Sequence, residues 1–237
     1  MGLYNKSFCE LNINLDEIKR INKDMVTNAF IYRYRDIVLK KYWYCTEYAI
    51  SDDVFDKLCT IDNKHFIKLY ELFTIISDDK YEEKYTKYQQ GKSFFCKDGY
   101  TAKYYHPDSI NPLLEQSAYL IKSIEGLKEL VDILSNSRIM MTDTKVGNTI
   151  IQNNGIIIID PDYYMLSSQD INNIKNNNYK ELLQLLKTIF IHYAEFKKTD
   201  ILKLFAELDN NNSLESIYHI EKELKKVKRP LDLLNCK

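Results

Sequence analysis

The chain has 237 residues, 45% of them hydrophobic and 13% aromatic, enough for a sizeable core and too apolar for a disordered protein. Its 33 basic and 34 acidic side chains leave a net charge of -1, which excludes nucleic-acid binding driven by bulk charge and leaves a local basic patch as the route to it. Six glycines and four prolines exclude collagen-like, low-complexity and turn-rich all-β architectures.

Residues 16–25 mix Ile18, Ile21 and Met25 with polar residues and read as a helix turn or an edge strand. Ala29–Tyr34 and Ile37–Tyr42 are rich in β-formers and separated only by Arg35-Asp36, as in a tight hairpin. Ser51-Asp52-Asp53 marks a helix start, and Val54, Phe55, Leu58 and Ile61 continue it as one apolar stripe ended by Asn63-Lys64. Phe66–Ile76 reads as one or two strands, residues 78–92 as an exposed Tyr-spiked excursion, and Tyr100–Tyr105 as a further strand. Pro107 and Pro112 then break the chain.

Residues 113–134 predict a long buried helix, or two abutting ones, with Gly126 as the weak point. Short strands are expected at Arg138–Met141, Thr149–Gln152 and Ile156–Asp160, the last two joined by an Asn153-Asn154-Gly155 turn and the last buried on both faces. Helices follow over 179–190, 201–208 and 214–227, with the Asn runs 176–178 and 210–212 as loops. Strands dominate the first part and helices the rest. The fold class is therefore α+β in two lobes: a β-rich lobe over 1–103 and a helical lobe over 104–237, with the boundary in 104–112.

The five cysteines (9, 45, 59, 96 and 236) show no CxxC or Cys/His spacing, which argues against structural zinc and for reduced thiols in a cytoplasmic setting. The first 18 residues lack the apolar run of a secretory signal, and no stretch approaches the ~20 apolar residues of a membrane span. The four histidines (65, 106, 192 and 219) have no partner spacing for a nucleophilic triad and read as surface or core residues. Residues 221–230 form a basic helix end, read as a solvated face.

One segment carries chemistry: residues 138–164, RIMMTDTKVGNTIIQNNGIIIIDPDYY. A strand end delivers Asp143, Lys145 follows, and Asn148 opens a hairpin whose second strand ends in Asp160. A carboxylate to orient a hydroxyl, an amide and a carboxylate to hold Mg2+, and a lysine to meet phosphate are the parts that phosphoryl transfer needs. Asp162 reads as a solvated loop residue.

This segment resembles the catalytic loop and metal-binding Asp of the protein-kinase-like superfamily, whose pattern is H-R-D-x-K-x-x-N, a hairpin, then D-F-G. The resemblance covers about residues 25 to 190 and includes an upstream IVLK strand and FDKLCTIDNKHFIKLYE, which is similar to the family's helix C entering its fourth strand. It implies Asp143 as catalytic base, Lys145 as phosphate-contacting lysine, Asn148 and Asp160 as Mg2+ ligands, and Lys40 as the strand lysine on the α/β phosphates of ATP. ATP is expected between the lobes, with adenine against the backbone of about Ala102, Lys103, Tyr104 and Tyr105. The acid pairing with Lys40 is expected at 53–54, hence Asp53, or at Glu47.

The chain also departs from the pattern. The family His and Arg are Met141 and Thr142, so the usual partner of a phosphorylated activation loop is missing. D-F-G is Asp160-Pro161-Asp162, and no glycine lies between Gly2 and Gly91 to form a phosphate loop, leaving a turn such as Thr27-Asn28 to approach the phosphates. About 20 residues separate Asp160 from the helix predicted at Tyr179, short for a peptide-docking segment and similar in this to small-molecule phosphotransferases. The expected function is an ATP- and Mg2+-dependent kinase acting on a hydroxyl, with Ser/Thr of a protein slightly preferred over a small molecule. No nucleic-acid partner is expected. The alternative is a pseudokinase that binds or scaffolds without turnover.

Overall fold

The computed structural model describes residues 2–4, 17–22, 29–42, 50–76, 99–105, 114–152 and 155–193. The chain divides into two units, one formed by Met1–Thr60 and Lys68–Tyr105, the other by Ile61–Ile67 and His106–Lys237.

The first unit is built on an antiparallel sheet of six strands: β1 (Gly2–Tyr4), β2 (Lys19–Arg20), β3 (Ala29–Tyr34), β4 (Ile37–Tyr42), β5 (Leu69–Ile76) and β6 (Gly99–Lys103). Their order is β1-β5-β6-β4-β3-β2. Of the segment 16–25 the described part is 17–22, where the edge-strand reading is the one found, with Lys19 and Arg20 opposite Arg33 and Tyr32. The β3–β4 hairpin closes on the Tyr34–Ile37 pair. Its turn puts Arg35 at φ 53, a left-handed conformation that costs a non-glycine residue about 1–2 kcal/mol.

Helix α1 (Asp52–Cys59) starts where Ser51 caps it, the Ser51 Oγ accepting from the Val54 N–H at 3.4 Å. Val54, Phe55 and Leu58 are buried along its inner stripe. The ring of Phe55 meets Tyr100 of β6 at 5.9 Å, and Tyr100 meets Tyr42 of β4 at 6.4 Å. Full burial of one such ring contributes about 1.5–3 kcal/mol. Strand β5 begins at Leu69 rather than at Phe66, because residues 65–67 pair elsewhere, in the second unit.

In that unit α2 (Leu114–Asn136) and α3 (Ile171–Tyr193) pack together, with Leu127, Leu130, Val131 and Leu134 of α2 and Ile174, Leu182 and Ile189 of α3 all fully buried. Among the described residues this unit also holds two small antiparallel pairs: β7 (Ile139–Met140) with β10 (Met165–Leu166), and β8 (Thr149–Gln152) with β9 (Gly155–Ile158). Every residue of β9 is buried, as its continuous isoleucines imply. Three expectations are corrected here. The helix expected from Tyr179 starts at Ile171, so Asn176–Asn178 is not a loop. The stripe on α1 ends before Ile61, which is buried in the second unit. Gly126 is a fitted contact and not a weak point: a Cβ there would lie 2.2 Å from the His65 ring.

The expected excursion over 78–92, the prolines at 107 and 112, the helices over 201–208 and 214–227, and the basic end at 221–230 lie outside the described residues. Among the described residues no helix is long and apolar enough to cross a membrane.

Candidate functional site

The loop from Met141 to Asn148 is held at its base by one buried amide. Asn178 of α3 accepts the Met141 N–H at 2.7 Å and donates to the Ile139 carbonyl at 2.9 Å and to Ser135 Oγ at 3.1 Å. Ser135 Oγ in turn donates to the Val131 carbonyl at 2.6 Å. This explains why β7 stops at Met140: the next amide goes to a side chain, not to a strand. It also explains an Asn inside a helix, where an exposed Asn would be unfavourable.

Past this anchor Asp143 takes φ 54. Its carboxylate receives Lys145 Nζ at 2.9 and 2.7 Å. A 3-10 turn over Val146–Asn148 follows, with the Asn148 N–H donating to the Lys145 carbonyl at 2.9 Å and Thr149 Oγ1 to the Val146 carbonyl at 2.7 Å. The turn brings Asn148 back so that its Nδ2 donates to the Asp143 carbonyl at 2.9 Å and to Asp143 Oδ2 at 3.2 Å. Asn148 is buried, and with its nitrogen committed to Asp143 its Oδ1 lies on the opposite side of the amide.

Asp160 reaches the same neighbourhood through the hairpin. Thr149 pairs with Ile158, and the Ile159 N–H donates to the Asn148 carbonyl at 2.8 Å, so Asp160 follows the residue bonded to Asn148. Asp160 is half-buried at φ 62. Thr142 Oγ1 donates to the Tyr163 carbonyl and the Tyr164 N–H to the Pro161 carbonyl at 3.0 Å, tying the loop to the turn after Asp160. Asp162 is buried, which corrects its reading as a solvated loop residue. Residues 161–170 alone separate Asp160 from α3, a shorter link than the sequence suggested.

Asp143, Lys145 and Asn148 are thus joined by direct hydrogen bonds, and Asp160 is placed beside them by strand register. An amide oxygen and a carboxylate are hard oxygen donors of the kind Mg2+ takes. Among the described residues no group of three or more His, Cys, Asp or Glu side chains could hold a metal.

Sequence reasoning missed two residues that support this hairpin. Asn178 shares the three-to-four-residue spacing of Ile174 and Leu182, and that spacing was the available signal. His65 is 1% exposed. Its Nδ1 lies 2.7 Å from the Ile156 carbonyl and is therefore the protonated nitrogen. Its carbonyl accepts the Ile158 N–H at 2.8 Å, while Ile67 donates to the Ile158 carbonyl at 2.9 Å. Residues 65–67 so extend β9 on the side away from β8. The imidazole also fits against Gly155, where a Cβ would lie 3.1 Å from its Cε1. Burial lowers the His65 pKa and Lys64 adds to this, against the Ile156 bond and Glu129. Phe66 stacks on Tyr164 at 6.2 Å, and burial raises the Tyr164 pKa.

The remaining expected residues lie in the first unit. Lys40 is buried on β4, its Nζ 5.9 and 5.8 Å from the Tyr42 and Tyr100 rings. Asp53 is exposed in the first turn of α1. Glu47 lies outside the described residues. Ala102 is wholly buried, Lys103 exposed and Tyr104 half-buried. The Lys103 N–H donates to the Lys68 carbonyl at 2.8 Å and the Tyr104 N–H to the Asp36 carbonyl at 2.6 Å. Neither amide is open to a ligand.

No protein-family model matches the chain. No curated protein matches it either. Among solved structures it is similar to the kinase PK-1 of Cydia pomonella granulovirus, with a TM-score of 0.51 and 14% identity over 84% of this chain and 82% of that one. Among the described residues, an antiparallel sheet with one helix, two packed helices, and a loop and hairpin carrying Asp143, Asn148 and Asp160 accompany this likeness, which gives the chain an α+β, protein-kinase-like fold.

Proposed function

We propose that the chain is an ATP- and Mg2+-dependent phosphotransferase that moves the γ-phosphoryl group to a hydroxyl, with Ser/Thr of a protein preferred over a small molecule. The observation that carries this is the bonded set Asp143–Asn148 with Asp160 one residue past the Asn148 strand contact. Asn148 Oδ1 and the Asp160 carboxylate hold the metal, which supplies positive charge to the phosphates. Asp143 accepts the proton of the acceptor hydroxyl, and Lys145, ion-paired to it at 2.7 Å, steadies the transferred group. Lys40 holds the α/β phosphates. Adenine meets Ala102, Lys103 and Tyr104 through carbonyl oxygens and side chains, since the amides of 103 and 104 are already bonded.

Those occupied amides and the lack of glycine between Gly2 and Gly91 favour a second reading, a pseudokinase. Thermal unfolding with and without Mg2+–ATP, together with ATP consumption, decides. Ligand at about 100 times its Kd adds about 2.7 kcal/mol of stability. A shift with turnover that falls in Asp143→Ala supports the enzyme. A shift without turnover selects the pseudokinase, turnover unchanged in Asp143→Ala contradicts the role given to Asp143, and no shift overturns both nucleotide-binding readings.

A further inference from the structure

Among the described residues three buried side-chain atoms have no hydrogen-bond partner: His65 Nε2, Thr144 Oγ1 and the Tyr164 hydroxyl. The two hydroxyls belong together. Burial raises the Tyr164 pKa and Thr144 lowers it, so they stand close, though not aligned as a hydrogen bond. Thr144 lies between Asp143 and Lys145 and turns inward, at 8% exposed, while the Asp143 and Lys145 side chains pair at the surface. Asp143 itself keeps a left-handed φ of 54, which a non-glycine residue holds only where its surroundings impose it. On the other side the Tyr164 backbone is fixed three times over. Its N–H donates to the Pro161 carbonyl at 3.0 Å, the carbonyl of Tyr163 before it accepts from Thr142 Oγ1, and Met165 after it pairs with Met140. Its ring is buried and stacks on Phe66. The phenol thus joins the turn that follows Asp160 to the residue that follows Asp143.

We infer that the Tyr164 hydroxyl donates to Thr144 Oγ1 and so fixes the Asp143 carboxylate relative to Asp160, which makes Tyr164 a positioning residue for the phosphoryl transfer proposed above and rests on that reading. Hydrogen bonds at catalytic sites are commonly long or poorly aligned without substrate and tighten in the complex. Packing alone does not account for the pair. Two buried polar partners can be replaced by apolar groups of the same shape at almost no cost in stability, so Phe and Val would fill this space as well. What the hydroxyls add is direction, and a small misplacement of a reacting group costs rate.

The test is ATP consumption with Mg2+, and amide exchange, in the full chain and in Tyr164→Phe, Thr144→Val and the double variant. Each single variant should lower kcat about tenfold or more while KM for ATP changes less than about twofold. The double variant should be no slower than the slower single one, at the wild-type Tm. Thr144→Ser, which keeps the hydroxyl, should keep kcat within about twofold of wild type. In an Asp143→Ala background Tyr164→Phe should slow turnover no further. Single variants as fast as wild type, effects that multiply in the double variant, or an undiminished effect in the Asp143→Ala background would overturn the inference. Exchange at the Asn148 N–H reads the tether without turnover and should speed up about threefold or more in Tyr164→Phe. Unchanged exchange overturns the inference whether or not ATP is consumed. Faster exchange in a chain whose wild type consumes no ATP supports the tether and overturns the phosphotransfer reading.

Discussion

Asn148 donates its side-chain amide twice to Asp143, to the main-chain oxygen at 2.9 Å and to a carboxylate oxygen at 3.2 Å. Asn148→Asp would set two carboxylates at that distance with no donor between them. It is expected to lower stability by about 1–3 kcal/mol. Urea unfolding measures this, and an unchanged midpoint would contradict the geometry.

Asn178 satisfies the buried Met141 N–H and the Ile139 carbonyl together. Asn178→Leu keeps the volume and the helix but orphans both, a loss of about 1–3 kcal/mol for each unpaired group. Isotope exchange at the Met141 amide should accelerate in step. Stability within about 0.5 kcal/mol of wild type would show that another group replaces the amide.

At an exposed helix position Gly→Ala gains about 1 kcal/mol. At Gly126 the opposite sign is expected, because the added Cβ would lie 2.2 Å from His65 Cδ2. The predicted loss is about 1–3 kcal/mol. Most of it should vanish when His65→Ala is added, so a double-mutant cycle in urea separates this contact from a general helix effect.

His65 gives stability a pH dependence of known sign. Burial lowers its pKa in the folded chain. Below the ordinary value near 6.5 the unfolded chain takes up a proton that the folded chain refuses, so stability falls as pH drops through 6.5 and levels off below the folded pKa. His65→Asn removes this titration. The drop in urea midpoint between about pH 7.5 and pH 5 should be larger in wild type than in His65→Asn, and equal drops would place the acid sensitivity elsewhere.

The strands and α1 were legible because each rests on local signals: β-formers flanking Arg35-Asp36, and a Ser cap before an apolar stripe. The cluster of Asp143, Lys145 and Asn148 was legible because five residues in one turn must return close to their start. What was not legible depends on partners distant in sequence. Asn178 looked like part of a loop because composition describes a run of Asn and not the carbonyl 39 residues away that one of them meets. His65 and Gly126 carried no local signal of their mutual fit. The closing of the Lys103 and Tyr104 amides depends on the carbonyls of Lys68 and Asp36, which only strand order brings near.

The most direct measurement is a calorimetric titration of ATP, with and without Mg2+, into wild type, Asp160→Ala and Asp143→Ala, paired with turnover. The metal assignment predicts that Asp160→Ala loses the magnesium-dependent part of ATP binding. Asp143→Ala should keep that binding while transfer slows by about two orders of magnitude or more. Equal loss of magnesium-dependent binding in both variants, or none in Asp160→Ala, would contradict the roles given to this hairpin.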